Sequence, residues 1–111
     1  MRALCVVHRG ITCALPSHQV ARASSIVDDA APELLLWDGD PSIPADRFLR
    51  VEVPPHSGWL RCSDVRIVDV EAPSELSPLV RALTDLPHVV GWTDLGGQLV
   101  WLVDLHRMQV G

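Results

Sequence analysis

The chain reads as mainly β, a small barrel or paired barrels with one or two short helices, and three observations lead there. Its apolar runs are short and rich in Val, Ile, Leu and Trp, as in Leu4-Cys5-Val6-Val7-His8 and Leu99-Val100-Trp101-Leu102-Val103. Two connections between such runs, Arg9-Gly10 and Asp94-Leu95-Gly96-Gly97, carry the residues that hairpin turns demand. A third signal is negative, because only the stretch after Ser77-Pro78 carries helix punctuation.

Taken in order, Leu4 to His8 and Ile11 to Leu15 flank a two-residue turn, which sets Val6 opposite Cys13 and Leu4 opposite Leu15. That register gives one apolar face of Leu4, Val6, Ile11, Cys13 and Leu15 and points Cys5 the other way. After Pro16, the stretch Ser17 to Ala23 reads as a turn or strand entry with a single buried residue, Val20. From Asp28 to Ser57 the prolines Pro32, Pro41, Pro44, Pro54 and Pro55 interrupt any long element. Only Leu34 to Trp37 and Phe48 to Val53 are expected to form short strands or a helical turn there. Trp59 to Cys62 and Val65 to Val70 alternate apolar and charged residues as two half-buried strands would. Ser77 is placed to cap a short helix from Pro78 to Thr84 that buries Leu79, Val80 and Leu83, and Pro87 ends it. Val89 to Trp92 and Leu99 to Val103 form the closing hairpin, and one helical turn is expected from Asp104.

Composition limits what such a domain does. At 111 residues the whole chain, 1–111, is one expected domain, long enough to bury roughly two thirds of the surface its unfolded form exposes. Apolar residues at 48% and charged residues at 21% place it outside the disordered and collagen-like classes. A formal charge of -5, with nine Arg scattered along the sequence, argues against a nucleic-acid partner, which needs clustered cations. Lys is absent, which removes a P-loop lysine, a Schiff base and a pyridoxal-phosphate attachment. No apolar run approaches the roughly 20 residues of a membrane span. His8-Arg9-Gly10 also interrupts the opening before a signal-peptide apolar region forms, so membrane insertion is not expected and the cytoplasm is the expected compartment.

Candidate chemistry is sparse. Cys5, Cys13 and Cys62 are odd in number and contain no C-x-x-C pair, which predicts reduced thiols rather than a disulfide framework or a zinc ribbon. Cys5 with His8, or Cys13 with His18, would be metal ligands on paper, but residues three apart on a strand face opposite sides. His56-Ser57 and Cys62 with Asp64 supply a nucleophile and a partner without the G-x-S-x-G elbow of a hydrolase. No catalytic residue, metal or cofactor is therefore expected. Trp59, Trp92 and Trp101 are expected as core or barrel-seam fillers, and Trp37, beside Asp38-Gly39-Asp40, as the partly exposed one.

Three segments in order resemble the CheW-like family of chemotaxis coupling proteins. The opening hairpin runs into Ala14-Leu15-Pro16 and Val20-Ala21-Arg22-Ala23, similar to the family's A-L-P signature and V-x-E-V step. Gly58 to Val68 resembles the segment that opens the family's second half, and His88 to Leu105 resembles its closing hairpin of hydrophobic-G, turn, G, hydrophobic run and D-L. The resemblance implies two small, packed SH3-like barrels and a non-enzymatic adaptor of chemosensory arrays. Its implied partners are the cytoplasmic tip of a methyl-accepting chemoreceptor, the regulatory domain of a histidine kinase, and other coupling proteins. Carried over position by position, it implies partner contacts at Val20, Arg22, Ala23, Gly91, Trp92, Leu95 and Gly97, with Gly91 and Gly97 serving first as backbone devices.

The departures are specific. The family's first-half turn and following strand have no counterpart between Pro32 and Pro55, so the first barrel is expected to be truncated and its hairpin missing. Arg22 replaces the acidic residue of V-x-E-V, and Gly96 stands where the second hairpin normally carries Arg. Together these changes resemble a shortened accessory coupling protein that binds receptor and binds the kinase weakly or not at all. Two readings from other classes stand beside it: a small-barrel domain that binds a peptide or ligand, and a small hydrolase using Ser57 or Cys62.

Overall fold

A computed structural model of the chain describes residues 1–39, 42–71, 73–83 and 85–108. Strand β1 (Arg2–His8) and strand β2 (Ile11–Pro16) pair antiparallel in the expected register, Val6 opposite Cys13 and Leu4 opposite Leu15. Arg9 and Gly10 between them take positive φ, 50° and 87°, so the turn twists with the strands. A 3-10 turn over Ser17–Gln19 leads into β3 (Val20–Ser24). The buried residue of this stretch is Gln19 rather than Val20, which is half-buried. Burial of that amide is possible because Gln19 Nε2 donates to Asp104 Oδ1 at 2.8 Å and its Oε1 accepts from Leu105 N at 3.0 Å.

The proline-rich stretch departs most from expectation. It holds the short β4 (Glu33–Leu34) and the seven-residue β5 (Arg47–Val53), which forms a hairpin with β6 (His56–Asp69). Their pairing runs from Arg47 opposite Cys62 to Val53 opposite His56, so the stretch from Pro32 to Pro55 contributes one strand, β5, to a hairpin whose other strand lies beyond Pro55. The prolines permit it because Pro54 and Pro55 fill the turn, while Pro32 and Pro44 precede β4 and β5, and none sits where the ladder needs a donor. Pro41 and Asp40 lie outside the described residues.

Trp59–Cys62 and Val65–Val70, expected as two strands, belong almost entirely to the single β6, which pairs with β5 through its first half and β1 through its second. Asp64 and Val65 together oppose Val6 alone, since Cys5 pairs with Arg66 and Val7 with Ser63. This bulge places Asp64 at φ 52°, a region Asp tolerates better than most residues, and turns one strand from one half of the fold to the other.

The second half adds β7 (Ser74–Glu75), α1 (Pro78–Leu83), β8 (Val89–Leu95), β9 (Gln98–Val103) and a closing 3-10 turn over Leu105–Arg107. Ser77 caps α1 as expected, its Oγ accepting from Val80 N at 3.2 Å. Leu79 and Val80 are exposed, however, at 70% and 40%, so α1 does not bury the face assigned to it. The side chain of Leu83 and the expected helix end at Thr84 lie outside the described residues.

Among the described residues the strands form one open nine-stranded sheet in the order β3-β5-β6-β1-β2-β9-β8-β7, with β4 beside β6. The β1–β2 hairpin is covered on both faces. Val6, Cys13 and Leu15 join a first core with Leu36, Trp37, Leu49, Val51, Leu60, Cys62 and Leu105. Ala3, Cys5 and Ala14 point into a second, smaller core with Val70, Val100 and Leu102. Each fully buried Leu or Val contributes roughly 1.5–3 kcal/mol over its exposed state, so the hairpin is anchored from two sides. No helix among the described residues is long and apolar enough to cross a membrane.

Candidate interaction surfaces

The residues expected to meet partners fall at the two ends of the strand order. Val20, Arg22 and Ala23 lie on β3, whose one sheet neighbour among the described residues is β5. Val20 pairs with Val51 and packs its side chain on the first core, while Arg22 and Ala23 are exposed. Arg22 is already engaged: its Nη1 donates to Asp28 Oδ2 at 2.8 Å, and its guanidinium stands 5.2 Å from the centroid of the Trp59 ring. The Asp28 hydrogen bond raises the pKa of this guanidinium further. Asp29 Oδ1 accepts from Ala31 N and from Trp59 Nε1, at 2.9 and 2.8 Å, and its Oδ2 lies 3.2 Å from Arg50 Nε. Those two hydrogen bonds, the Ala31 one foremost, hold the Asp29 carboxyl below its usual pKa. The whole cluster ties the loop after β3 down over Trp59, leaving Ile26 and Val27 exposed beside it.

Gly91, Trp92, Leu95 and Gly97 belong to the β8–β9 hairpin at the other end. Gly91 is buried against β7, where a Cβ would stand 2.4 Å from Ser74 O. Gly97, at φ 85°, completes the turn with Gly96, and its N–H donates to Asp94 Oδ1 at 2.8 Å. Both glycines are therefore backbone devices, as expected. Trp92 is exposed at 36%, contrary to its expected place as a filler, while Leu95 is half-buried. A link between the two ends runs through Gln19, which joins the start of β3 to the residues just after β9.

A third feature was not among the expected contacts. Ile11, Trp37, Leu76, Val80, Leu86, Val89 and Trp101 line an apolar groove of about 240 Å³, with Asp38 as its charged member. None of the seven expected contact residues lines it. Its sequence signal is faint, because Leu76, Val80 and Leu86 straddle a short helix while the other walls come from distant strands.

Trp37, expected to be exposed, is 7% exposed and forms part of the groove wall. Its indole Nε1 donates to His8 O at 2.9 Å, and its ring lies edge-on to His8 and stacked on His88. Burial lowers the pKa of both histidines.

Cys5 faces the second core while Cys13 and Cys62 lie in the first, and no group of three metal-ligating side chains converges among the described residues. Burial pushes the Cys62 thiol up to about 12 and raises that of Cys13, so both are protonated at neutral pH. Asp64 is exposed on the bulge while Cys62 is fully buried, and the side chain of His56 lies outside the described residues. The chain matches no model of a known protein family and no curated protein sequence.

Proposed function

We propose that this protein is a non-catalytic adaptor of a bacterial chemosensory array, working in the cytoplasm and docking the helical tip of a methyl-accepting chemoreceptor. In this reading the two cores belong to two packed SH3-like barrels of the CheW-like kind, sharing the β1–β2 hairpin and β6. The observation that carries it is that double-sided hairpin, running through Ala14-Leu15-Pro16 and one 3-10 turn into the edge strand β3. An unpaired edge and exposed apolar side chains suit a scaffold whose individually weak contacts gain strength from array avidity.

Pull-down with the cytoplasmic domain of a cognate receptor tests the proposal, and absence of binding at tens of micromolar overturns it. Val20→Asp is expected to weaken that binding; because Val20 also packs on the first core, circular dichroism must show an intact fold for the loss to count. Kinase binding is weak in the same reading. It rests on Gly96, an exposed turn position with open space around it and no side chain to reach a partner carboxylate. Calorimetry against the cognate kinase decides it, and affinity equal to that of a full coupling protein from the same system refutes it. A second reading, a peptide- or ligand-binding module, is favoured by the two-tryptophan groove, and a peptide that shifts Trp37 and Trp101 signals without any receptor binding would select it.

A further inference from the structure

Two buried histidines meet on the backbone of one residue, Leu36. The N–H of Leu36 donates to His8 Nε2 at 3.3 Å, and the C=O of Leu36 accepts from His88 Nε2 at 2.6 Å. The next residue, Trp37, donates its indole N–H to His8 O and stacks on His88 with ring centroids 6.4 Å apart. His8 Nδ1 lies 2.7 Å from Arg61 O.

These partners fix the tautomers. His8 carries its proton on Nδ1, facing the Arg61 carbonyl, which leaves Nε2 free to accept. His88 carries its proton on Nε2, facing the Leu36 carbonyl, which leaves Nδ1 bare, and that atom is buried without a hydrogen-bond partner. A second proton on His8 must go to Nε2 and set two N–H groups against each other. A second proton on His88 must go to Nδ1 and leave an unpaired N–H and a charge in the core, at a site only 5% exposed. The first event breaks the bond from Leu36 N–H; the second leaves the bond to the Leu36 carbonyl in place and acts by putting a charge and an unpaired N–H into the ring that stacks on Trp37.

Leu36 and Trp37 follow β4, and the next strand begins at Arg47, so no sheet ladder holds them. Both side chains pack into the first core, and two residues further on Arg9 Nη2 donates to Gly39 O at 3.2 Å.

We propose that residues 35–39 form a proton-released latch: neutral His8 and His88 hold Trp37 in the wall of the apolar groove, and a second proton on either ring lets it go. Among the charged groups around His8, Arg9 opposes that proton and Glu33 favours it, while the Arg61 guanidinium is paired with Glu33 at 3.1 Å. Around His88, burial and the Leu36 carbonyl are the influences on the ring; Asp104 is joined to it through the backbone alone, and Asp38 follows Trp37 in the chain. Release reshapes a surface that Trp37 shares with Ile11, Val89 and Trp101. The latch stands whether or not the adaptor reading holds.

The test is a pH titration of the full chain from 7.5 to 5.0 by ¹H–¹⁵N correlation NMR, with the Trp37 indole assigned from its loss in Trp37→Phe. The Trp37 indole signal is expected to move in a step with its midpoint below 6.5, in parallel with the ring signals of His8 and His88, while the Trp59 indole stays in place. Over the same step the Leu36 amide is expected to exchange at least tenfold faster relative to the Leu60 amide. His88→Gln keeps a donor for the Leu36 carbonyl and takes up no proton, so it is expected to shift the step to lower pH. A Trp37 indole that stays fixed to pH 5.0 overturns the proposal, and so does one that moves only together with Trp59, which is global unfolding. Should the variant fail to fold, the wild-type titration alone decides.

Discussion

Gly91→Ala measures how closely β7 and β8 must approach. A Cβ on Gly91 would lie 2.4 Å from Ser74 O, 3.4 Å from Ser74 C and 3.6 Å from Leu102 Cδ1, so the first contact alone is impossible. Ordinary contact begins near 3.4 Å, which requires Ser74 to retreat by about 1 Å. Ser74 is backbone-paired with Trp92, and Glu75 with Gly91, so the retreat strains or breaks a two-residue ladder. If the ladder breaks, each lost hydrogen bond costs about 1 kcal/mol net; if it holds, overpacking costs about 1–3 kcal/mol. Either route predicts a loss of about 1–3 kcal/mol in urea-derived stability, with faster amide exchange confined to Ser74, Glu75 and their partners on β8. Gly97→Ala is the control, since nothing lies within 4 Å of its Cβ and its φ of 85° supplies the only penalty, about 1–2 kcal/mol with exchange altered at the turn alone. A Gly91→Ala protein within 0.5 kcal/mol of the parent, with β7 amides protected as before, would refute the close approach.

Leu60→Ala, at a fully buried site in the first core, is expected to cost about 2–5 kcal/mol, whereas Leu79→Ala, 70% exposed on α1, should change stability by less than about 0.5 kcal/mol; comparable losses would return α1 to the core. Acid should destabilise the fold. His8 and His88 are held neutral by burial, so below the ordinary histidine value of 6.5 the unfolded chain binds protons that the folded chain refuses. The stability they contribute is complete above 6.5 and falls with pH below it, by up to about 1.4 kcal/mol per pH unit for each ring; urea midpoints that do not change between pH 7 and 5.5 would contradict this. The buried, protonated Cys13 and Cys62 should resist a thiol reagent at pH 8 until denaturant is added, and modification of either in the native protein at the rate of a free thiol would place it nearer the surface.

Both hairpins with glycine turns are legible in the sequence because their information is local: two residues able to take positive φ, flanked by runs whose alternation fixes the register. The β5–β6 hairpin is not, because its turn is Pro54-Pro55, and prolines counted along a stretch look like strand breakers until their positions in the ladder are known. The joining of two expected strands into β6 is hidden for a related reason. Its bulge at Asp64 interrupts the period of two, so one strand presents as two short ones with a gap. Trp37 and Trp92 exchange their expected environments. A Trp beside Asp38-Gly39-Asp40 reads as exposed from its neighbours in the chain, yet it is buried by His8 and His88, distant in sequence and joined to it only by the fold.

The same two-sided hairpin limits where any partner can act. The face of β1 and β2 that carries Val6, Cys13 and Leu15 is closed by the first core, and the face that carries Ala3, Cys5 and Ala14 by the second. The ends of the strand order and the groove beside α1 are two kinds of surface still open to a partner. At the β3 end Arg22 is already committed to Asp28, so a partner arriving there meets backbone donors and acceptors, the small Ala23 and the apolar Ile26 and Val27 rather than a free charge. Such a surface offers shape and strand pairing, with little electrostatic selection. In the groove the balance reverses: two indole rings and five aliphatic walls surround one carboxylate, Asp38, which favours an apolar segment carrying a cation. Salt dependence separates the two, because binding at the β3 edge should change little between 50 and 500 mM salt, while binding that uses Asp38 should weaken with screening.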